Sequence, residues 1–199
     1  RSLWPRGAFL VLHFIRHGET DYNVQRRFAG GDVEVSLTER GREQARRFAS
    51  DNRDFLQTCD LLIVSPQDRA QETASLILPH CPAGIRCETV ESLREWILGD
   101  WSGKDYDRTP PLFVEPPPDP PNGEMFSTFE NRVLSALFDI ARRPEENVLV
   151  IAHGAVWFAY ARRCAHRGQD TKIFLGNCEL EKIDRKDLLS SSAPEIHSP

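Results

Sequence analysis

An α/β fold with a mainly parallel sheet is what this 199-residue sequence predicts. Two observations carry that prediction. Three short apolar runs, at residues 8–15, 61–64 and 148–152, have the length and the Val, Ile, Leu and Phe content of strands buried on both faces. Helical stripes lie between and after them, and strands alternating with helices build a parallel sheet with both faces covered.

The elements follow in chain order. The first strand runs directly into Arg16-His17-Gly18-Glu19. Thr38 then reads as the cap of a helix that puts Ala45, Phe48 and Ala49 on one face. The second strand ends at Ser65-Pro66, which reads as a helix start because Ala70, Thr73, Ala74 and Ile77 recur behind it at helical spacing. Phe126, Phe129, Val133, Leu137 and Ile140 form the clearest apolar stripe of the chain. The third strand leads to His153-Gly154 and a helix over residues 155–162. Seven of the 14 prolines fall within residues 110–121, so neither a helix nor a central strand fits there. That segment, bounded at 104–124, reads either as a surface loop or as a stiff flap over a site. Residues 188–199 are rich in Ser and Pro and are expected to fray, which leaves 1–187 as one domain without repeats.

Composition narrows the function. A net charge of −5 argues against a nonspecific nucleic-acid binder and against an anionic-membrane binder, while leaving room for a local basic pocket. The longest apolar runs are far too short to span a bilayer, and no small-residue cleavage site follows the first. The five cysteines, Cys59, Cys81, Cys87, Cys164 and Cys178, are odd in number and lack a framework or zinc-ligand spacing. The expectation is a cytoplasmic protein with free thiols, no metal and no cofactor.

Chemistry concentrates at the carboxyl ends of the strands, where open α/β sheets bind ligands. Those ends deliver Arg16 and His17, Arg69 one turn into a helix, and His153 at another helix start. Two guanidinium groups and two imidazoles on one side of a sheet need an anionic partner, and planar donor forks suit a tetrahedral phosphoryl group. A histidine held neutral can attack phosphorus to give a phosphohistidine that water cleaves. The leaving oxygen needs a proton, for which Glu95 and Asp100 are the candidates; Glu95, among Leu93, Trp96 and Ile97, has the more apolar setting. His13 reads as a packed or surface residue, Arg26 and Arg27 as solvated loop charges, and Trp96 and Trp101 as packing residues. His80, His166 and His197 read as surface histidines.

The stretch RHGETDYN at residues 16–23 resembles the signature of the histidine phosphatase superfamily, also called phosphoglycerate mutase-like. The resemblance continues through Arg27 and Gly30, Ser36-Leu37-Thr38 with Gly41, Ser65-Pro66 with Arg69-Ala70, LREWILGDWSG at 93–103, Gly123-Glu124, Arg132 and Ala152-His153-Gly154. It is strongest toward the small broad-specificity and alpha-ribazole phosphatase-like branch. It implies a three-layer α/β/α sandwich, His17 as the phosphorylated nucleophile, and Glu95 as the proton donor. It further implies Arg16, Arg69 and His153 as a phosphate cage, with Asn23, Thr20, Arg27 and Gly154 among the substrate-binding residues and no metal. Two departures stand out. Many members read Arg-x-Gln-Gly where this chain has Arg27-Phe28-Ala29-Gly30, and Trp-Glu-Gly where it has Trp101-Ser102-Gly103.

The expected function is hydrolysis of a small phosphomonoester, the partner being a small phosphorylated metabolite and neither nucleic acid nor a membrane. A homodimer is left open. The alternatives are a cofactor-dependent phosphoglycerate mutase and a non-catalytic phospho-ligand binding module. A mutase must hold a second phosphate, and residues 96–124 offer only Lys104 and Arg108 for that.

Overall fold

The computed structural model describes residues 11–108, 112–165 and 167–189. Residues 8–10 of the first apolar run, His166, His197 and residues 190–199 lie outside them. The elements are β1 (Val11–Arg16), α1 (Asp21–Val24), α2 (Glu39–Asp51), α3 (Arg53–Leu56), β2 (Leu61–Val64), α4 (Asp68–Ile77), β3 (Arg86–Thr89), α5 (Phe126–Ala141), β4 (Asn147–Ala152), α6 (Gly154–Ala165), β5 (Leu180–Asp184) and α7 (Arg185–Leu189).

The five strands form one sheet in the order β3-β2-β4-β1-β5, all parallel except β5, which pairs antiparallel with β1. Successive strand residues face opposite ways. Leu12, Phe14, Leu61, Ile63, Val148 and Val150 therefore pack against α5 and α6, while Ile15, Leu62, Val64, Leu149 and Ile151 pack against α2 and α4. Helix layers on both faces make the three-layer sandwich. Among the described residues no helix is long and apolar enough to cross a membrane.

Local chemistry explains most boundaries. The Thr38 hydroxyl accepts from Gly41 N at 2.9 Å and starts α2, as its sequence position predicts. In α5 the stripe from Phe126 to Ile140 is buried, and Asp119 Oδ1 accepts from Phe126 N at 2.7 Å. The helix expected from Ser65-Pro66 begins two residues later, at Asp68. The helix expected over 155–162 runs from Gly154 to Ala165. Two strands escaped the periodicity. β3 is an edge strand with mostly exposed Arg86, Cys87 and Thr89, and β5 is the other edge, carrying Lys182. Charge on an edge strand protects it from pairing with other chains, and it also hides the apolar alternation.

Within residues 112–125 there is no helix or strand, in line with the proline content. The segment packs inward all the same: Leu112 is buried, and Glu124 N donates to Ile97 O at 2.8 Å. At the other end, Leu188 is buried within α7, so the expected frayed tail does not include Leu188 and Leu189. An apolar side chain of a short helix docked on the core outweighs the Ser/Pro signal that follows it. His80 is half-buried rather than a surface residue, and all five cysteines are free thiols.

His13 is buried against the Phe55 ring at 4.3 Å, its Nδ1 without a partner. Burial, aided by nearby Lys182, pushes its pKa from 6.5 down to about 4. Unfolding restores the higher value, so between those two pH values the unfolded chain binds the extra proton. Stability then falls as pH is lowered through the window and is level above it. For a His13→Leu variant, the unfolding free energy relative to wild type should improve by on the order of 2–3 kcal/mol between pH 7 and pH 4. Urea titrations at the two pH values check this, and an unchanged difference would clear His13 of any part in acid sensitivity.

Candidate active site

The carboxyl ends of β2, β4 and β1 stand side by side. His17 N donates to Ala152 O and Ser65 N to Ile151 O, both at 3.0 Å, so the ladder continues one step past each strand. This brings His17, Ser65 and His153 to one rim of the sheet, where α4 and α6 begin.

His17 is buried, and its Nδ1 lies 2.7 Å from Gly18 O. A carbonyl can only accept, so Nδ1 carries the hydrogen and Nε2 holds an unshared pair. Burial first, then the positive charges of Arg69 and Arg16, hold the imidazole well below its usual pKa. The ring is a neutral base throughout the physiological range.

Arg69 is almost fully buried, and burial brings its pKa down to about 10, which still leaves it charged at neutral pH. Its Nε donates to His153 Nδ1 at 3.2 Å and its Nη1 to Val33 O at 3.0 Å. Nη2 serves Gln67 Oε1 at 3.0 Å and the carbonyls of Ala29 and Gly30 at 3.3 and 3.4 Å. Of five guanidinium hydrogens, one on Nη1 is left over. A guanidinium can only donate, so His153 Nδ1 accepts and its Nε2–H donates to Ser65 Oγ at 2.6 Å. His153 is fully buried, with burial and Arg69 keeping it neutral. Both its nitrogens are engaged, and it stands behind the cavity wall rather than on it. In this arrangement it orients Arg69.

Arg16 does reach the cavity. Nη1 donates to Leu175 O at 2.7 Å, while the buried Nε has no hydrogen-bond partner among the described residues. Asn23 and Gly154 also line the cavity. Thr20 and Arg27 do not. The Thr20 hydroxyl is buried as the cap of α1, accepting from Asn23 N at 3.4 Å and donating to Asn23 Oδ1. Arg27 is exposed, its Nε donating to Gly103 O at 2.7 Å. Both expectations from sequence are corrected on these grounds: one side chain is consumed by a helix start and the other by a surface turn.

Of the two candidate acids, the structure brings Glu95 to the cavity and leaves Asp100 exposed, accepting from Asn122 Nδ2 at 3.0 Å. Glu95 accepts from Trp96 N at 2.9 Å and from Ala155 N at 3.2 Å. Desolvation still dominates and raises its carboxyl pKa, against the pull of those N–H groups, Arg69 and Arg16. Gly31 permits this approach, because a Cβ there would lie 2.2 Å from Glu95 O.

One residue that sequence reading missed links these groups. Gln67, fully buried, accepts with Oε1 from both Arg69 Nη2 and Glu95 N, each at 3.0 Å. Its Nε2 lies 3.2–3.5 Å from the carbonyls of Val33, Gly30 and Gly31. The signal was its place at the start of α4, where a residue without a capping bond asks what else its amide does. Phe28, Tyr106, Phe113 and Phe174, also unforeseen, line the same cavity, which as a whole measures about 430 Å³. Among the described residues no group of three or more His, Cys, Asp or Glu is gathered as metal ligands.

A neutral buried imidazole between two guanidinium groups, facing a carboxyl with a raised pKa, can hold a tetrahedral oxyanion and attack its central atom. Residues 12–188 match the histidine phosphatase superfamily (branch 1), and the chain belongs to that family. It is 31% identical over 161 residues to the adenosylcobalamin/alpha-ribazole phosphatase of Escherichia coli, covering 73% of this chain and 74% of that protein. It is 30% identical over 144 residues to the uncharacterized phosphatase PhoE of Bacillus subtilis, covering 71% and 70%. Its fold matches the phosphoglycerate mutase structure from Thermus thermophilus with a TM-score of 0.68 at 24% identity, over 87% of this chain and 92% of that one.

Replacing Gln67 by Met keeps the volume and removes both bridging hydrogen bonds. Binding of inorganic phosphate should weaken about tenfold, as for loss of buried hydrogen bonds worth roughly 1–2 kcal/mol, with the circular dichroism spectrum unchanged. Calorimetric titration of phosphate is the check, and wild-type affinity in the variant would remove Gln67 from the site.

Proposed function

We propose that the protein is a phosphatase that hydrolyses a small phosphomonoester without a metal ion, through a phosphohistidine on His17. The observation that carries this reading is the His17 ring: buried, neutral, and fixed by Gly18 O with Nε2 free to attack. Phosphoryl transfer asks of a protein mainly positioning and charge stabilisation, and Arg16 and Arg69 supply both to the equatorial oxygens. Asn23 and Gly154 complete the inner wall. His153 acts through Arg69, holding the guanidinium by its Nε.

In the first step the Nε2–P bond forms as the P–O bond to the leaving group breaks, and the Glu95 carboxylic acid gives that oxygen its proton. In the second, the Glu95 carboxylate takes a proton from water as the water oxygen attacks phosphorus and the Nε2–P bond breaks. Inorganic phosphate leaves, with His17 neutral and Glu95 protonated again. Hydrolysis is favoured over mutase transfer because the described residues lining the cavity offer no cation beyond Arg16 and Arg69 for a second phosphate. An intact nucleophile and acid speak against a purely binding role.

Hydrolysis of an aryl phosphate in the presence of a chelator should proceed at the full rate and fall by several orders of magnitude in His17→Ala. A chelator-sensitive rate, or a His17→Ala variant that keeps it, would sink the mechanism. Arg69→Ala should lose on the order of 10²–10³ in kcat. Glu95→Gln should slow alkyl phosphates far more than aryl phosphates, whose leaving groups hardly need a proton.

The raised Glu95 pKa keeps the acid form available above the ordinary carboxyl range. The alkyl-phosphate rate should therefore decline as pH rises through that raised value, and this limb should be missing in Glu95→Gln. The depressed His17 pKa should leave no acidic limb near pH 6.5. Profiles of kcat/KM against pH test both signs.

A further inference from the structure

The cavity is divided by its chemistry. The inner end holds Arg16, His17, Arg69 and Glu95; the outer end is walled by Phe28, Tyr106, Leu98, Leu112, Phe113 and Phe174. No described residue of the outer wall is charged. A volume of about 430 Å³ also exceeds what a phosphate needs and falls among pockets that enclose drug-sized ligands, roughly 300–1,000 Å³.

The aromatic walls are built by specific backbone pairing. Phe28 N donates to Lys104 O and Gly103 N to Phe28 O, at 3.0 and 2.8 Å, and Tyr106 N donates to Arg26 O at 2.9 Å. These bonds set the Phe28 and Tyr106 rings 4.4 Å apart. Phe113 packs edge-on against Phe158 of α6 at 4.9 Å and against Phe174 at 5.4 Å, while Phe158 and Phe174 lie parallel, 6° apart in plane. Phe113 and Phe174 stay 36% and 54% exposed, although each is held in an aromatic cluster. Large apolar side chains left open beside an acidic–basic pocket mark a surface that a ligand covers.

We propose that the alcohol half of the substrate is an uncharged, apolar group with a planar ring, held between the Phe28–Tyr106 pair and the Phe113–Phe174 pair. The proposal rests on the phosphomonoester reading and names its substrate class. Phosphorylated amino acids and sugar acids are disfavoured, because their ammonium or carboxylate groups would be desolvated against uncharged lining residues. The one described guanidinium over these rings, Arg26 at 5.7 Å from the Tyr106 centroid, is exposed and already paired with Asp107. Aromatic walls reward an edge-on or offset planar partner and tolerate variation in its polar substituents.

The test compares 2-(2-naphthyl)ethyl phosphate with O-phosphoserine, both of which leave as primary alkoxides, so the proton demand on Glu95 is similar. The naphthylethyl ester should have the higher kcat/KM, by about 10–100-fold, mostly through KM. Calorimetry with the two matching phosphonates, which cannot be hydrolysed, should give the same order of affinity. Phe113→Ala and Phe174→Ala should each lower kcat/KM for the naphthylethyl ester by about tenfold. Phe174→Arg, at an exposed rim position, should shift the preference toward phosphoserine by supplying a partner for its carboxylate.

Equal kcat/KM and equal phosphonate affinity for the two chemistries would overturn the proposal while leaving the phosphatase reading intact. A Phe174→Arg variant with unmoved preference would overturn it as well. Tighter binding of the naphthyl phosphonate by a protein that hydrolyses neither ester would instead support the chamber and refute the phosphatase reading.

Discussion

Two positive charges kept out of water next to each other are the constraint that the surrounding structure answers. Arg16 and Arg69 both lose hydration on folding, and each lowers the proton affinity of the two imidazoles beside it. The cost of burying such groups is offset where their donors meet acceptors. For Arg69 those acceptors are backbone carbonyls of Ala29, Gly30 and Val33, with Gln67 and His153. The 29–33 turn must fold back over α4 for this to happen. Gly31 lets the same turn touch the backbone of Glu95. The acid is thereby set relative to the cation through one short piece of chain.

This network also explains the two departures from the family pattern. Ala29 contributes through its carbonyl, which a change of side chain does not disturb. Ser102 donates to Asp32 Oδ1, and Asp32 accepts from Leu98 N, so the hydroxyl ties the 29–33 turn to the far side of the cavity. Ala29 leaves a small apolar surface on the cavity wall beside Phe28.

What could be read from the sequence was whatever sits next to a strand end or repeats with a helical period. His17, Arg16, Arg69 and His153 are each within a few residues of such a landmark, and the core helices declare themselves by spacing. Glu95 was legible by its apolar neighbours, and only its rival Asp100 needed coordinates to be set aside. The edge strands were obscured because their polar residues face solvent. Thr20 and Arg27 were misplaced because a motif specifies which residues occur together, and not which of them turn toward the ligand. The aromatic chamber was invisible for another reason: residues 28, 106, 113 and 174 meet only through tertiary pairing of irregular segments, which leaves no period to detect.

The path of the chain after α6 has one more consequence. Leu175 O receives Arg16 Nη1, Asn177 Nδ2 donates to His17 O, and Cys178 N donates to Arg16 O, so contacts nearly the whole sequence apart hold Arg16 and His17 in place. β1 is made first and sits in the sheet between β4 and β5, which are made last. During synthesis one edge of β1 therefore waits until β4 (Asn147–Ala152) has emerged and the other until β5 (Leu180–Asp184) has, and domains with such distant pairings fold late and slowly. A nascent or prematurely released chain that lacks β4 and β5 therefore carries His17 without the partners that hold it.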